Sequence, residues 1–323
     1  MSYYYKVIIS LIGSLCFLLV QPLLAGINGG RELQETALTP VVFLPGTGNI
    51  LYVDQSVDQT AAGYTGSGDS WANAIPELAD ALKWANDNKT QFTSGAPLKL
   101  YVAKGIYKPK YSPEDGANYG TDQGRDNTFL MVENVHLYGG FAGVESSPTE
   151  RVLSAIGAMG TILSGDLDEN DIVNGLGTSL SIQNNDENAY HVVMASGDDQ
   201  DLNVFIDGFE ITGGNANGGG DIWVNTTVSR NAGGGFYLST SGKITLTLNN
   251  SRISGNSTDS EGGGIYSYAY APFAISKSPH SEIILKNVHV IQNYAIGNGG
   301  GIYNLSSIVK KRTIGCFLQS DIL

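Results

Sequence analysis

Two six-residue segments, EGGGIY at Glu261–Tyr266 and NGGGIY at Asn298–Tyr303, lie 37 residues apart, and this recurrence constrains the fold more than any other feature of the chain. The same step carries segment 248–256 (LNNSRISGN) onto 285–293 (LKNVHVIQN). A looser copy precedes them, IDGFEITGG at 206–214 followed by GGGFY at 233–237. Its spacings are 42 residues from Gly214 to Asn256 and 29 from Gly235 to Gly264, so the period accepts insertions and deletions, as loops on a stacked repeat do.

Within each repeat the apolar residues alternate. Ile244, Leu246 and Leu248 are separated by Thr245 and Thr247, Phe209 and Ile211 flank Glu210, and Val288 and Val290 flank His289. Period two specifies strand, and the absence of intervening helical patterns excludes a βαβ arrangement. An antiparallel sandwich or propeller is the alternative to a parallel solenoid. A propeller blade needs four strands in ~40 to 45 residues and its own signature dipeptide, which is missing. In a solenoid, like positions stack at roughly 4.8 Å. The glycine triplets then serve a corner with positive φ and a close approach of neighbouring coils. Ile265 and Ile302 are expected in the core, and Asn256 and Asn293 at corners. Tyr237, Tyr266 and Tyr303 are expected in an outward row suited to sugar rings.

Earlier segments repeat the strand pattern without the clean period: 98–103 (LKLYVA), 128–132 (TFLMV), 135–141 (VHLYGGF) and 161–166 (TILSGD). Before them, 71–88 reads as a helix with Ile75, Leu78, Leu82 and Ala85 on one face and Pro76 in its first turn. A solenoid leaves an apolar end open, and this helix is expected to cap it.

With these pieces together, the chain resembles the right-handed parallel β-helix proteins of the pectin-lyase-like class, which are secreted or surface-displayed by Gram-negative bacteria. The matching residues include Leu51-Tyr52-Val53-Asp54, Gly68-Asp69-Ser70-Trp71, Tyr101-Val102-Ala103-Lys104-Gly105-Ile106-Tyr107, Leu163-Ser164-Gly165-Asp166 and the GGGIY elements, and the likeness spans 50–307. The GGGIY elements are also similar to the Gly-Gly repeats of polymorphic outer-membrane proteins. The resemblance implies an all-β, single-stranded right-handed parallel β-helix with an N-terminal capping α-helix. It also implies an adhesion-type role at the cell surface or outer membrane. Residues 308–323, with the basic cluster Lys310-Lys311-Arg312, depart from the repeat and read as the atypical tail of a truncated or frame-altered product.

Residues 1–25 have the form of a secretory signal peptide, with one cation at Lys6, an apolar run over 7–20 and a small residue at Ala25; 26–49 reads as a flexible leader. Losing Lys6 takes the net charge from −13 to −14, which argues against nucleic acid as a partner, and no transmembrane span is expected after cleavage. Cys16 leaves with the signal and Cys316 lies in the tail, so no disulfide framework is expected. Charged residues are only 15% of the chain against a usual ~25%, so its surface relies on Asn, Ser and Thr.

Candidate chemistry is sparse. Asp166, Asp168 and Asn170 place oxygen ligands at alternating positions, a pattern that could hold Ca2+, but lack the glycine and distal glutamate of an EF-hand. A second acidic stretch, 198–201, reads as a polar turn. Lys104, Lys108 and Lys110, interleaved with Tyr107 and Tyr111, could contact an acidic glycan. His191 and His289 lie in apolar strands, with His289 pointing outward. No hydrolase triad, phosphate loop or nicotinamide fingerprint is present, and no cofactor is required. The expected function is non-catalytic binding of an extracellular polysaccharide or a host or cell-surface glycan. The alternative is a polysaccharide lyase or glycoside hydrolase.

Overall fold

A column of aliphatic side chains shows how the alternation is used. Leu51 pairs with Leu100, Leu100 with Leu137, Leu137 with Ile206, Ile206 with Leu248, and Leu248 with Leu285, all through parallel pairing. Each of the six is at most 2% exposed. Burying a side chain of this kind stabilises a fold by about 1.5 to 3 kcal/mol before entropy is counted. The computed structural model that shows this column describes residues 42–153, 160–198, 201–270, 279–305, 307–311 and 317–318. The expected signal peptide, residues 26–41 of the leader, Cys16 and Cys316 lie outside the described residues.

The described residues are mostly β, with one large, strongly curled parallel sheet of 11 strands, a parallel sheet of five and a parallel sheet of three. From residue 243 onward the chain visits these in rotation: Lys243–Ile253 in the large sheet, Ser257–Thr258 in the small one, Ile265–Ala269 in the five-stranded one, then His280–Val290, Tyr294–Ala295 and Ile302–Asn304. Lys243 pairs with His280, Ser257 with Tyr294 and Ile265 with Ile302, so each sheet is re-entered 37 residues on, the offset read from the sequence. The upstream pairs Asn215–Ser257 and Phe236–Ile265 reproduce the offsets of 42 and 29. This arrangement is compatible with a solenoid. Pairing continues past 307: Ser307–Lys311 lies parallel to His280–Val290, although the sequence placed the end of the repeat there.

The glycine triplets divide their work. Gly233, Gly262 and Gly299, first in each triplet, have φ of +72°, +71° and +69°. The third glycines are close-approach positions, because a Cβ on Gly235 would lie 2.5 Å from the Gly264 carbonyl oxygen and one on Gly264 equally near that of Gly301. The asparagines differ from expectation. Asn256 and Asn293 are buried, and the left-handed residues are their predecessors, Gly255 at +69° and Gln292 at +54°. Asn256 Nδ2 donates to Asn293 Oδ1 at 2.9 Å and lies 3.1 Å from the Ile211 carbonyl, while its Oδ1 accepts from Gly214 N at 3.0 Å. A second amide row runs from Asn287 to Asn250 to Asp207, each step 2.8 Å, and ends in the Asp207–Arg151 ion pair at 3.0 Å.

The helix is shorter than its apolar pattern. It spans Leu78–Asp87, and Trp71–Asn73 is a separate 3₁₀ turn. Ile75 is extended and bridges Val53, so Pro76 lies outside the helix and holds the residue before it away from helical angles. Leu78, Ala81, Leu82 and Ala85 are buried in the same core cluster as Leu51 and Leu98. Among the described residues no helix is long and apolar enough to cross a membrane.

Replacing Asn256 with alanine strands several buried partners at once. Asn256→Ala is expected to lower stability by about 2 kcal/mol or more, read as a lower urea midpoint with an unchanged slope.

Candidate functional site: a tyrosine face on the five-stranded sheet

Alternation along Ile265–Ala269 sends Ile265 and Ser267 inward, fully buried, and Tyr266 and Tyr268 outward. Parallel register then sets Tyr266 beside Tyr237 on one side and Tyr303 on the other. The Tyr266 and Tyr303 rings stack at 5.7 Å with only 11° between their planes. Along the strand, Tyr268 stacks 6.4 Å from Tyr266 and 5.9 Å from Tyr270, with 27° and 14° between the ring planes. Tyr270 is 49% exposed, and Tyr266, Tyr268 and Tyr303 are partly exposed. The rings form an L-shaped face carried by Ile265–Ala269, which is paired on both sides, and by Ile302–Asn304, the edge strand beside it.

Tyr237 does not join this open face. An inserted antiparallel hairpin, Asp221–Val224 with Thr226–Ser229, lies over it, and Ile222, Val224 and Val228 pack with Tyr237 and Met194 in a second apolar cluster. Tyr237 is 4% exposed, and its Oη accepts a hydrogen bond from Ser229 N at 3.2 Å. Burial pushes its hydroxyl up to about 12. The outward row expected from the sequence is therefore aligned, but its first ring is covered. The hairpin is itself fastened to an earlier loop, with Asp115 N donating to the Trp223 carbonyl and Asn225 N to Asp115 Oδ2, both at 2.8 Å.

The expected lysine group does not form one free basic surface. Lys108 Nζ donates to the Leu167 carbonyl at 2.7 Å and pairs with Glu169 at 2.9 Å; Lys110 lies 3.6 Å from Glu77; Lys104 is exposed and runs along Gly160. Tyr107 is a core residue, its Oη donating to the Ala103 carbonyl, and Tyr111 Oη donates to Asp80. In the acidic loop, Asp166 accepts from the backbone amides of Asn170 and Asp171 at 3.2 and 3.1 Å, while Asp168 and Asn170 are exposed. The carboxylates that converge are Asp166, Asp171 and Glu187, and Asp168 stands outside the group. Burial, opposed by the Asn188 amide and reinforced by the charges of Asp166 and Glu187, pushes Asp171 up to about 6.

A second aromatic row lies on the large sheet, where Tyr52 and Tyr101 each stand between two inward aliphatics and Tyr138 follows the inward Leu137. These rings meet edge to face at 5.7 Å. Trp71, Phe141 and the Arg151 guanidinium cover them, making the row a packing seam.

Beneath the hairpin, His191 is fully buried against Tyr237, with Nδ1 2.9 Å from the Gly233 carbonyl oxygen, and burial lowers its pKa to about 4. The unfolded chain accepts a proton near the ordinary 6.5. Stability from this residue is therefore complete above about 6.5 and is lost as pH falls towards 4, by on the order of 3 kcal/mol. Urea midpoints compared across this window are expected to fall in the parent chain and to fall less in His191→Gln. No family model, curated protein or solved structure matches this chain.

Proposed function

We propose that residues 50–307 form a single right-handed parallel β-helix, capped by the helix Leu78–Asp87, and that the protein is a secreted or surface-displayed glycan-binding protein of a Gram-negative bacterium. In this reading residues 1–25 direct export, and the outward tyrosines bind a polysaccharide or cell-surface glycan without chemical turnover. The observation that carries it is the stacked, nearly parallel pair Tyr266 and Tyr303, extended along the strand by Tyr268 and Tyr270. Partly exposed rings on a hydrogen-bonded sheet offer apolar edges, and a ring face at the end of the stack, to the C–H groups of pyranose rings, and their hydroxyls can bond sugar hydroxyls at the rim. Rigid support reduces the ordering cost of binding. The net negative charge favours a neutral glycan over a uronate polymer, and Lys108 and Lys110 are engaged by Glu169 and Glu77.

Binding is best tested on a panel of neutral and acidic polysaccharides, while monitoring unsaturated-uronate absorbance and reducing ends. The expected result is retention of a neutral glycan with neither product formed. Tyr266→Ala and Tyr303→Ala should each weaken binding roughly tenfold, about 1.4 kcal/mol, while Tyr237→Phe, under the hairpin, should leave it unchanged. Appearance of either product would establish the lyase or hydrolase instead. Binding indifferent to both alanine variants would remove the tyrosine face as the site.

A further inference from the structure

Between the large sheet and the five-stranded sheet the chain makes an excursion that begins and ends at one place. It leaves after Thr161–Ser164, forms the antiparallel hairpin Ile172–Asn174 with Ser181–Gln183, and returns at Ala189, whose amide donates to the Gly165 carbonyl at 2.9 Å. Asp166 and Asp171 belong to the outgoing stem, and Glu187 and Asn188 to the returning one. One carboxylate oxygen from each of the three acids lies within 4.8 Å of the other two. Among the described residues, no lysine, arginine or histidine forms an ion pair with any of them.

The neighbouring amide points to what the acids surround. Asn188 is fully buried, and its Nδ2 donates to Asp171 Oδ2 at 2.8 Å, which seats the amide against the carboxylates. Its Oδ1 receives no hydrogen bond, and neither do Asp171 Oδ1 and Glu187 Oε1, although all three atoms are buried. Buried polar atoms are nearly always paired, and these three are all acceptors from one small neck of chain. Nearby donors serve other oxygens: Arg125 Nε donates to the Asn188 backbone carbonyl at 2.6 Å, and Asp166 receives the Asn170 and Asp171 amides. A proton donor or a cation is what the cluster lacks.

We propose that Asp166, Asp171, Glu187 and the side-chain carbonyl of Asn188 bind one calcium ion, which clamps the two stems of the excursion. The donors are all hard oxygens, three carboxylates and an amide carbonyl, with no imidazole or thiolate to favour zinc or copper. Ligand oxygens at the usual 2.3 to 2.6 Å from calcium stand up to roughly 5 Å apart, so oxygens within 4.8 Å of one another can share one ion, whereas magnesium keeps several waters and is seldom held by an all-protein oxygen set. Water would fill the remaining coordination positions. The ion turns mutual repulsion between the stems into attraction to a shared centre. This inference does not depend on the glycan reading, since the cluster belongs to a different excursion from the tyrosine face.

The test is calorimetric titration of the full chain, stripped with EDTA, with CaCl2 and separately with MgCl2, accompanied by thermal unfolding and limited proteolysis of 172–183. One calcium per chain, a raised unfolding midpoint, slower cleavage of the excursion and at least tenfold weaker magnesium binding are expected. Asp171→Asn and Glu187→Gln should each weaken calcium binding at least tenfold. Because each removes a charge at nearly constant shape, their EDTA-treated forms should unfold no earlier than the parent. Asp168→Asn, in the same loop but outside the cluster, should bind as the parent does. Absence of calcium heat together with identical midpoints in calcium and EDTA would overturn the proposal, as would calcium binding lost in Asp168→Asn but kept in Asp171→Asn.

Discussion

Parallel pairing in register is the constraint from which the rest of this structure follows. When residue i of one coil is hydrogen-bonded beside its counterpart in the next, a side chain that points inward does so at every level, and any corner must be made again at the same height. The buried contact between Asn256 and Asn293 expresses this most directly, since each amide completes the hydrogen bonding of the coil beneath it. The glycine triplets are the steric counterpart: the first residue turns the chain, and the third lets one backbone lie against the next without a Cβ between them. An isolated coil would have unpaired amides on both faces. Stability therefore resides in the stack rather than in any single repeat.

The repeat was legible because register writes itself into sequence as a constant offset, and the offsets of 37, 42 and 29 all reappear as strand pairings. Features without a local period were harder to read. Apolar spacing in 71–88 is helical throughout, yet Ile75 is drawn into a bridge with Val53, and the proline after it leaves the helix to start at Leu78. Tyr237 occupies the row that its position predicts, but nothing in its own repeat announces that a hairpin inserted just before it will fold over the ring. Likewise, alternation directed attention to Asp166, Asp168 and Asn170, whereas the converging partners come from beyond an intervening hairpin. Asn256 and Asn293 were placed at turns and proved to be the buried residues beside them, because an amide that bonds upward and downward is worth more inside than at the bend.

The two aromatic rows show how similar sequence patterns acquire different roles. Tyr52, Tyr101 and Tyr138 repeat on one sheet as Tyr237, Tyr266 and Tyr303 do on another. On the large sheet the rings tilt edge to face beneath Trp71, Phe141 and Arg151. On the five-stranded sheet the later rings stack with nearly parallel planes and are partly uncovered. What differs is the cover supplied by neighbouring loops, so the solenoid-like scaffold offers a row and the insertions decide whether it is sealed or open.

The hairpin over Tyr237 also changes how the protein would bear mechanical load. Its Trp223 carbonyl and Asn225 amide are tied to Asp115, which is 110 residues away from Asn225 along the chain. A pull along the stacking direction must part this strap as well as the strand pairings, since it joins the loop before Phe129–Leu130 to the hairpin before Phe236–Thr240, strands with Val193–Gly197 between them. Force entering at one end is thereby shared between strands that are not neighbours in the sheet.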